Sequence, residues 1–440
     1  MSPLIIALLL FVLMLGLMAI RVPIAAAMFV AGVVGYLWLS GWQPLIAHLK
    51  NYAYGRFSSY DLSVIPLFML MGQFATQGGL SKSLFSFANA LLGNFKGGMA
   101  MAAVVACALF GSVCGSSIAT AATIGSVALP EMKRHGYSGK LATATVAAGG
   151  TLGILIPPSV VLVVYAILTE QNIAKLFAAA FVPGILAMVG YVIAVAIYVR
   201  VVPGLAPDKT SAERGHLLQS AVGVWPIAAI FLIVFGGIYG GVFTPTEGAA
   251  VGAAATFLTA LIRRELSWKG FMQSFYSTAE ASGMIFMIFV GADTLNSALT
   301  LTQAPNQLAA WVTGMGLAPL AVIVVILVFY VVLGCVMDEL SMILLTLPIF
   351  LPTITGLDLF GLPNDQKLIW FGILVLMVVG IGLTAPPIGL NVFVVSAIAK
   401  DVPILSTYRG VLPFVLADVL RLGLVVAFPA LALWLVNLLT

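Results

Sequence analysis

Ionisable side chains are what this chain has least of. Only 19 of its 440 residues are Lys or Arg and 15 are Asp or Glu, 8% in all, where a soluble domain carries about 25%. A chain so short of charge cannot cover itself with a water-facing surface. With 62% hydrophobic residues and a mean hydropathy of +1.16, it reads as an integral membrane protein in contact with the lipid bilayer. The net charge of +4 is too small for a polyanion-binding face, which argues against nucleic acid as a partner. Histidine is nearly missing: His48, His135 and His216 all fall at segment ends, so no histidine relay is expected at mid-membrane. Cys107, Cys114 and Cys335 are far apart in apolar surroundings and read as packing residues, not as a disulfide or metal set. No H-E-x-x-H, G-x-S-x-G or G-x-x-x-x-G-K-S/T occurs. An enzyme, a resident cofactor and an ATP-driven machine are therefore not expected.

What the chain does have is a succession of apolar runs. The N-terminal run lacks the basic flank and small-residue cleavage site of a signal peptide and reads as a span. Its first basic residue, Arg21, follows the run, which places residue 1 outside the cytoplasm. Crossings are expected near 4–20, 23–39, 60–77, 139–170 and 175–200, then near 218–240, 245–262, 279–302, 367–398 and 405–437. Between these sets, the polar stretch "RVVPGLAPDKTSAERGH" carries Arg200, Lys209 and Arg214, and residues 201–217 form an expected cytoplasmic linker. Residues 42–58 mix Trp42, Tyr52 and Tyr54 with Lys50 and Arg56, which suits a helix lying in the membrane interface. Residues 97–130 and 316–352 are apolar but interrupted by small or polar clusters near their middles, and read as re-entrant hairpins.

The two halves, 1–200 and 218–440, share landmarks in one order. Pro386 follows Pro157 at the same spacing at which Gly382 follows Gly153, and the hairpin prolines Pro130 and Pro348 keep the sequence of landmarks. Five crossings and one hairpin per half make the repeats inverted, with both termini expected in the periplasm. The basic stretch "EMKRHGYSGK" then faces the cytoplasm and its acidic counterpart "LDLFGLPNDQK" the periplasm. The expected fold is thus all-α, with inverted repeats containing hairpin 97–130 and broken helix 139–170 in the first, and hairpin 316–352 and broken helix 367–398 in the second.

Proline inside a spanning helix removes a donor and costs roughly 3 kcal/mol or more, and hydrocarbon offers the freed carbonyls no water. Two Pro-Pro pairs at matching places, "GTLGILIPPS" and "GIGLTAPPIG", therefore point to unwound backbone that coordinates a cation, with a half-helix N-terminus at Ser159 able to face an anion. The first hairpin adds hydroxyls at Ser112, Ser116, Ser117 and Thr120, the oxygen ligands small cations use. The second hairpin tip holds Asp338 and Glu339; intramembrane carboxylates are functional candidates, and Asp338 ranks first on the expectation that one of the pair faces interfacial water. Thr244, Pro245 and Glu247 read as a capping box that starts a helix. Asp418 with Arg421, and Asp293 with Asn296, read as local polar contacts one helical turn apart.

The segments "GSVCGSSIATAATIGSVALPEMKRHGY", "GGTLGILIPPS", "GCVMDELSMILLTLPIFLP" and "GLTAPPIGLNVFV" together resemble the large membrane subunit of tripartite ATP-independent periplasmic transporters, across essentially the whole chain. The resemblance implies a sodium-driven importer of organic carboxylates such as C4-dicarboxylates in the bacterial inner membrane, working as an elevator of a transport domain against a scaffold. It implies a periplasmic substrate-binding protein and, since no four-helix extension is present, a separate small four-helix membrane subunit. Mapped onto this sequence, it implies one sodium site between Ser112, Gly115 and Ser116 and the break at Gly150, Thr151 and Gly153. A second lies between Gly334 to Asp338 and Gly382, Thr384 and Pro386. Substrate is implied near Ser117, Thr120, Pro158, Ser159, Pro387 and Asn391. A stand-alone sodium/anion symporter or antiporter of the same superfamily is the alternative.

Overall fold

The computed structural model describes residues 3–207 and 217–439. Among them every regular element is helical and no strand occurs. The first half contains α1 (Pro3–Ala19), α2 (Ile24–Ser40), α3 (Trp42–Phe57), α4 (Val64–Gln77) and α5 (Leu80–Leu92). It continues with α6 (Gly98–Cys114), α7 (Ser117–Arg134), α8 (Gly139–Gly150), α9 (Leu152–Leu155), α10 (Val160–Thr169) and α11 (Ile173–Val201). The second contains α12 (Leu217–Tyr239), α13 (Pro245–Ile262), α14 (Trp268–Leu301), α15 (Ala304–Gly314), α16 (Pro319–Gly334) and α17 (Glu339–Gly356). It ends with α18 (Asn364–Gly382), α19 (Leu390–Ile398), α20 (Ile404–Ala427) and α21 (Ala430–Leu439). Eight helical segments, the α8–α10 stretch counted as one, are long and apolar enough to cross a membrane. The linker expected at 201–217 lies mostly outside the described residues.

Local chemistry explains the starts. Thr244 accepts from the Glu247 N–H at 3.2 Å while Glu247 Oε2 accepts from the Thr244 N–H at 2.8 Å, so the expected capping box opens α13. Ser138, Asn172 and Ser267 cap α8, α11 and α14 in the same way, each side-chain oxygen accepting an N–H three residues on.

Helices of one half pack on helices of the other. α2 runs along α14 and α4 along α13. The first pair comes very close at its small residues: a Cβ on Gly32 would lie 2.5 Å from the Leu295 nitrogen, and one on Gly291 2.3 Å from the Ala25 oxygen. α6 lies on α8 and α9, α16 on α18, α7 on α8 and α19, and α17 on α10. At the centre, α18 is buried from Lys367 to Gly382. Trp370 Nε1 donates to the Val425 carbonyl at 2.9 Å, and Lys367 Nζ to the carbonyls of Thr355 and Leu357, at the C-terminus of α17. All three cysteines are buried free thiols, as expected of packing residues.

The elements differ from expectation in four places. The segments 80–92 and 304–314, unassigned from sequence, are helices of 13 and 11 residues, too short to span the roughly 20 residues a bilayer needs. The crossing expected at 279–302 begins earlier, at Trp268. Its polar first turns lower the hydropathy, but Ser274 returns its hydroxyl to the Gly270 carbonyl at 2.9 Å, so the helix continues. The single crossing expected at 405–437 is two helices parted at Phe428 and Pro429, because Pro429 cannot donate to the preceding turn.

Candidate functional site

Both expected hairpins turn tightly. α6 ends at Cys114, Gly115 takes φ +65°, and Ser116 caps α7 with its Oγ accepting from the Ala119 N–H at 3.4 Å. Only glycine adopts that φ without strain, and here a Cβ would also strike the Pro158 carbonyl oxygen at 2.7 Å. The tip is thereby seated on the first Pro-Pro break. Helix α8 ends at Gly150, one short turn follows in α9, and Ser159 starts α10 by accepting the Leu162 N–H at 3.3 Å. The half-helix N-terminus expected at Ser159 is there.

Gly153 is what lets tip and break touch: a Cβ on it would meet Thr120 Oγ1 at 2.5 Å and the Ser116 carbonyl oxygen at 2.6 Å. On Gly150 it would meet the Asn391 amide nitrogen at 3.0 Å and the Ser117 carbonyl oxygen at 3.1 Å. Gly115, Ser116, Ser117, Thr120, Gly150, Gly153, Pro158 and Ser159 thus form one cluster. Ser112 borders it, but its hydroxyl donates to the Leu109 carbonyl at 2.8 Å, inside its own helix.

The second hairpin meets the second break at paired glycines. A Cβ on Gly382 would lie 2.6 Å from the Gly334 carbonyl carbon. Thr384 is buried and donates back to carbonyls of α18, Ile381 at 3.0 Å or Gly380 at 3.3 Å. Gly389, at φ +57°, starts α19. Pro386 and Pro387 stand at the exposed edge of this cluster, away from the buried first pair. The Pro387 and Ile388 carbonyls accept from the Tyr408 hydroxyl.

The tips of the two hairpins touch. Ser117 Oγ donates to Glu339 Oε1 at 3.2 Å in a buried position, and Glu339 Oε2 has no hydrogen-bond partner among the described residues. Of the two carboxylates, it is Glu339 that is buried at this contact, whereas the sequence ranks Asp338 first. Asp338 is the N-cap of α17, its Oδ1 accepting the Leu340 and Ser341 N–H groups at 3.1 and 3.0 Å, and it is half-buried. Glu339 is only 7% exposed. A short Asp side chain folds back on the helix start, whereas the longer Glu at the first helical position reaches across to the other tip. Asn391 is fully buried and donates its amide to the Ala147 carbonyl at 3.2 Å, tying α19 to α8.

One arrangement went unread in the sequence. Asp418 and Arg421 are the expected neighbours, 2.7 Å apart, but they are not merely local. Tyr191 OH donates to the other Asp418 oxygen at 2.6 Å and stands 3.1 Å from Thr151 Oγ1, so the pair reaches the first break. No spacing in the sequence links residues 151, 191 and 418.

Two hairpin tips seated on two interrupted helices in an all-helical apolar bundle suit a transporter's architecture. The profile of the family "Tripartite ATP-independent periplasmic transporter, DctM component" matches residues 11–431. The chain belongs to this family. As a large permease subunit it is a transport protein and not an enzyme, and a multi-pass membrane protein. It is 38% identical over 381 residues to the C4-dicarboxylate TRAP transporter large permease protein of Pseudomonas aeruginosa, covering 86% of each chain. The corresponding permease of Vibrio cholerae is 32% identical over 454 residues, covering 98% of this chain and 97% of its relative. Among solved structures, the YdaH transporter of Alcanivorax borkumensis has the same fold, with a TM-score of 0.65 at 13% identity over 90% of this chain and 89% of that one.

Proposed function

We propose that this permease carries organic carboxylates, C4-dicarboxylates among them, inward across the bacterial inner membrane in symport with sodium. In this reading a periplasmic binding protein delivers the substrate and a separate four-helix subunit completes the membrane complex. The observation that carries it is the buried meeting of the two tips at Ser117 and Glu339. Charge supplies the coupling. A buried carboxylate in a low-dielectric setting favours a nearby cation and repels a second anion. A carboxylate substrate entering between the tips is therefore favoured only once a cation offsets Glu339, and by linkage the substrate strengthens the cation in return.

No three His, Cys, Asp or Glu side chains gather among the described residues. The cation ligands in this reading are accordingly hydroxyls and backbone carbonyls: the Ser116 hydroxyl and the carbonyls of Gly150, Thr151 and Gly153, at the junction of α8 and α9, in one site, Gly334 and Gly382 to Thr384 with the Asp338 end of the hairpin in the other. Those are hard oxygens suited to sodium. The N-termini of α7, α10, α17 and α19 lie around the same contact, and their partial positive charge suits a carboxylate. In this reading the halves are inverted repeats with both termini periplasmic, and hairpins and broken helices move together against a scaffold built on the α2–α14 and α4–α13 pairs.

Reconstitution in liposomes tests it. With binding protein and small subunit present, an inward sodium gradient should drive uptake of a C4-dicarboxylate such as succinate without ATP. Uptake indifferent to replacing sodium by choline at fixed voltage overturns the coupling. Strong uptake by this chain alone replaces the three-part reading with the stand-alone symporter.

A further inference from the structure

The hydrogen bonds that leave Thr151 end in a buried ion pair that neither tip touches. Each hydroxyl on the way has one proton, which orders the chain. The short, charge-assisted contact to Asp418 takes the tyrosine's proton, so the Tyr191 oxygen faces Thr151 as an acceptor. Thr151 Oγ1 also lies 2.7 Å from the Ala148 carbonyl, in the last turn of α8. Its single proton is therefore shared between that carbonyl and Tyr191. Asp418 is 2% and Arg421 7% exposed, on a helix apolar enough to span. Desolvating an ion pair there costs more than an apolar replacement would. Fold stability is thus a poor reason for its presence.

The second half has nothing equivalent. Counted back from the paired glycines Gly153 and Gly382, the counterpart of Thr151 is Gly380, and the two meet: a Cβ on Gly380 would lie 3.4 Å from the Thr151 Cβ. Gly380 has no hydroxyl to hold. The nearby Thr384 bonds only within its own helix end.

We propose that Arg421, Asp418 and Tyr191 form a positioning arm: by holding Thr151 they fix the junction of α8 and α9, from Ala148 to Gly153, and make the first sodium site the tighter of the two. The inference rests on the sodium-coupled reading above. With the arm in place, Thr151 is held between Tyr191 and the Ala148 carbonyl, so the end of α8 is tied to α11 and α20; cut at either hydroxyl, that end is no longer fixed against the cation.

The test uses the complete three-part complex in liposomes. Tyr191→Phe removes one hydroxyl and no charge, and should raise half-saturating sodium roughly three- to tenfold, the span expected for one neutral hydrogen bond, while the rate at saturating sodium stays close to wild type. Thr151→Val should give the same rise. The double variant should add nothing further, because both changes cut one link. Sodium-dependent protection against thermal unfolding of the detergent-solubilised complex should move in parallel. A purely structural role predicts the opposite pattern, lower stability and rate at every sodium concentration with the half-saturation point unmoved, and that result overturns the arm. So do additive effects of the two substitutions. Should Tyr191→Phe not assemble, Thr151→Val alone carries the test, with an unshifted sodium requirement again decisive against the arm. Wild-type uptake that ignores sodium strikes instead at the coupling reading, and takes the arm down with it.

Discussion

Pro157 and Pro158 are buried, while Pro386 and Pro387, which interrupt the matching helix of the second half, are exposed, and the hydroxyl of Tyr408 donates to the carbonyls of Pro387 and Ile388. The local sequence signals are nearly the same: glycines, then a proline pair, then a short helix. Their surroundings are not. The first hairpin sits on its break through Gly115, Ser116 and Thr120, with Gly184 of α11 packed against Ile156 behind it. The second hairpin meets its break mainly at Gly334 and leaves the proline edge uncovered. Local sequence determines that a helix is interrupted; tertiary packing determines which interruption is sealed.

The strongest way to break this comparison lies where the halves touch. Glu339→Gln keeps the size and the hydrogen bond from Ser117 but removes the charge, and should lower uptake at limiting sodium roughly tenfold or more, since bonds to charged groups are worth about 1.5–3 kcal/mol. Asp338→Asn retains a good helix cap and should cost far less. Parallel sodium titrations of uptake compare them; a larger effect from Asp338→Asn would restore the ranking drawn from sequence and make the Ser117–Glu339 contact incidental.

Next in size are the glycines that let each tip reach its break. Gly153→Ala and Gly382→Ala both drive a Cβ to 2.6 Å or less from a hairpin atom. Overpacking of this kind typically costs about 1–3 kcal/mol. Gly382→Ala strikes backbone alone, whereas Gly153→Ala meets a hydroxyl that can turn as well as the Ser116 carbonyl. Thermal unfolding in detergent should show both destabilised. Equal stability to wild type in either would mean that the tip is not clamped on that break.

These contacts also mark how far the sequence could be read. Pro-Pro pairs, hairpin prolines and the Thr244–Glu247 box are local chemistry, and the elements they imply are present at the expected places. Short amphipathic helices such as Leu80–Leu92 escaped because a scan for bilayer-length runs passes over 13 residues. The capping role of Asp338 was legible in principle: Asp immediately before an apolar run is a helix N-cap signal, which leaves the next residue, Glu339, free to point elsewhere. The link from Thr151 through Tyr191 to Asp418 was not legible, since it depends on α8, α11 and α20 packing together.

A smaller effect is expected at the open break. Tyr408→Phe removes the donor to the Pro387 and Ile388 carbonyls. Since Pro387 is exposed, water can replace the lost bond, and the cost should lie at the low end of about 0.5–1.5 kcal/mol. Uptake and unfolding temperature should both fall only slightly. An effect as large as that of Gly153→Ala would show that the second break is as tightly held as the first.

The smallest effect is expected where the halves meet at their polar edge. Lys133, at the end of the first hairpin, donates to Asp401, in the loop after the second break, at 2.7 Å. Both side chains are largely exposed, at 74% and 56%, so water and salt screen the pair. The Lys133 hydrogen bond first, and the backbone N–H of Asp401 second, hold the Asp401 carboxyl below its usual range. A depressed folded pKa contributes stability that is complete above the unfolded value, about 4, and is lost as pH falls through the folded one. The difference in unfolding temperature between wild type and Asp401→Asn should therefore be small at pH 7, shrink further as the pH drops below about 4, and disappear in about 1 M salt. A difference that persists in high salt would mean that the pair does more than bridge the surface, and that the sealed and open halves are fastened to one another at this edge.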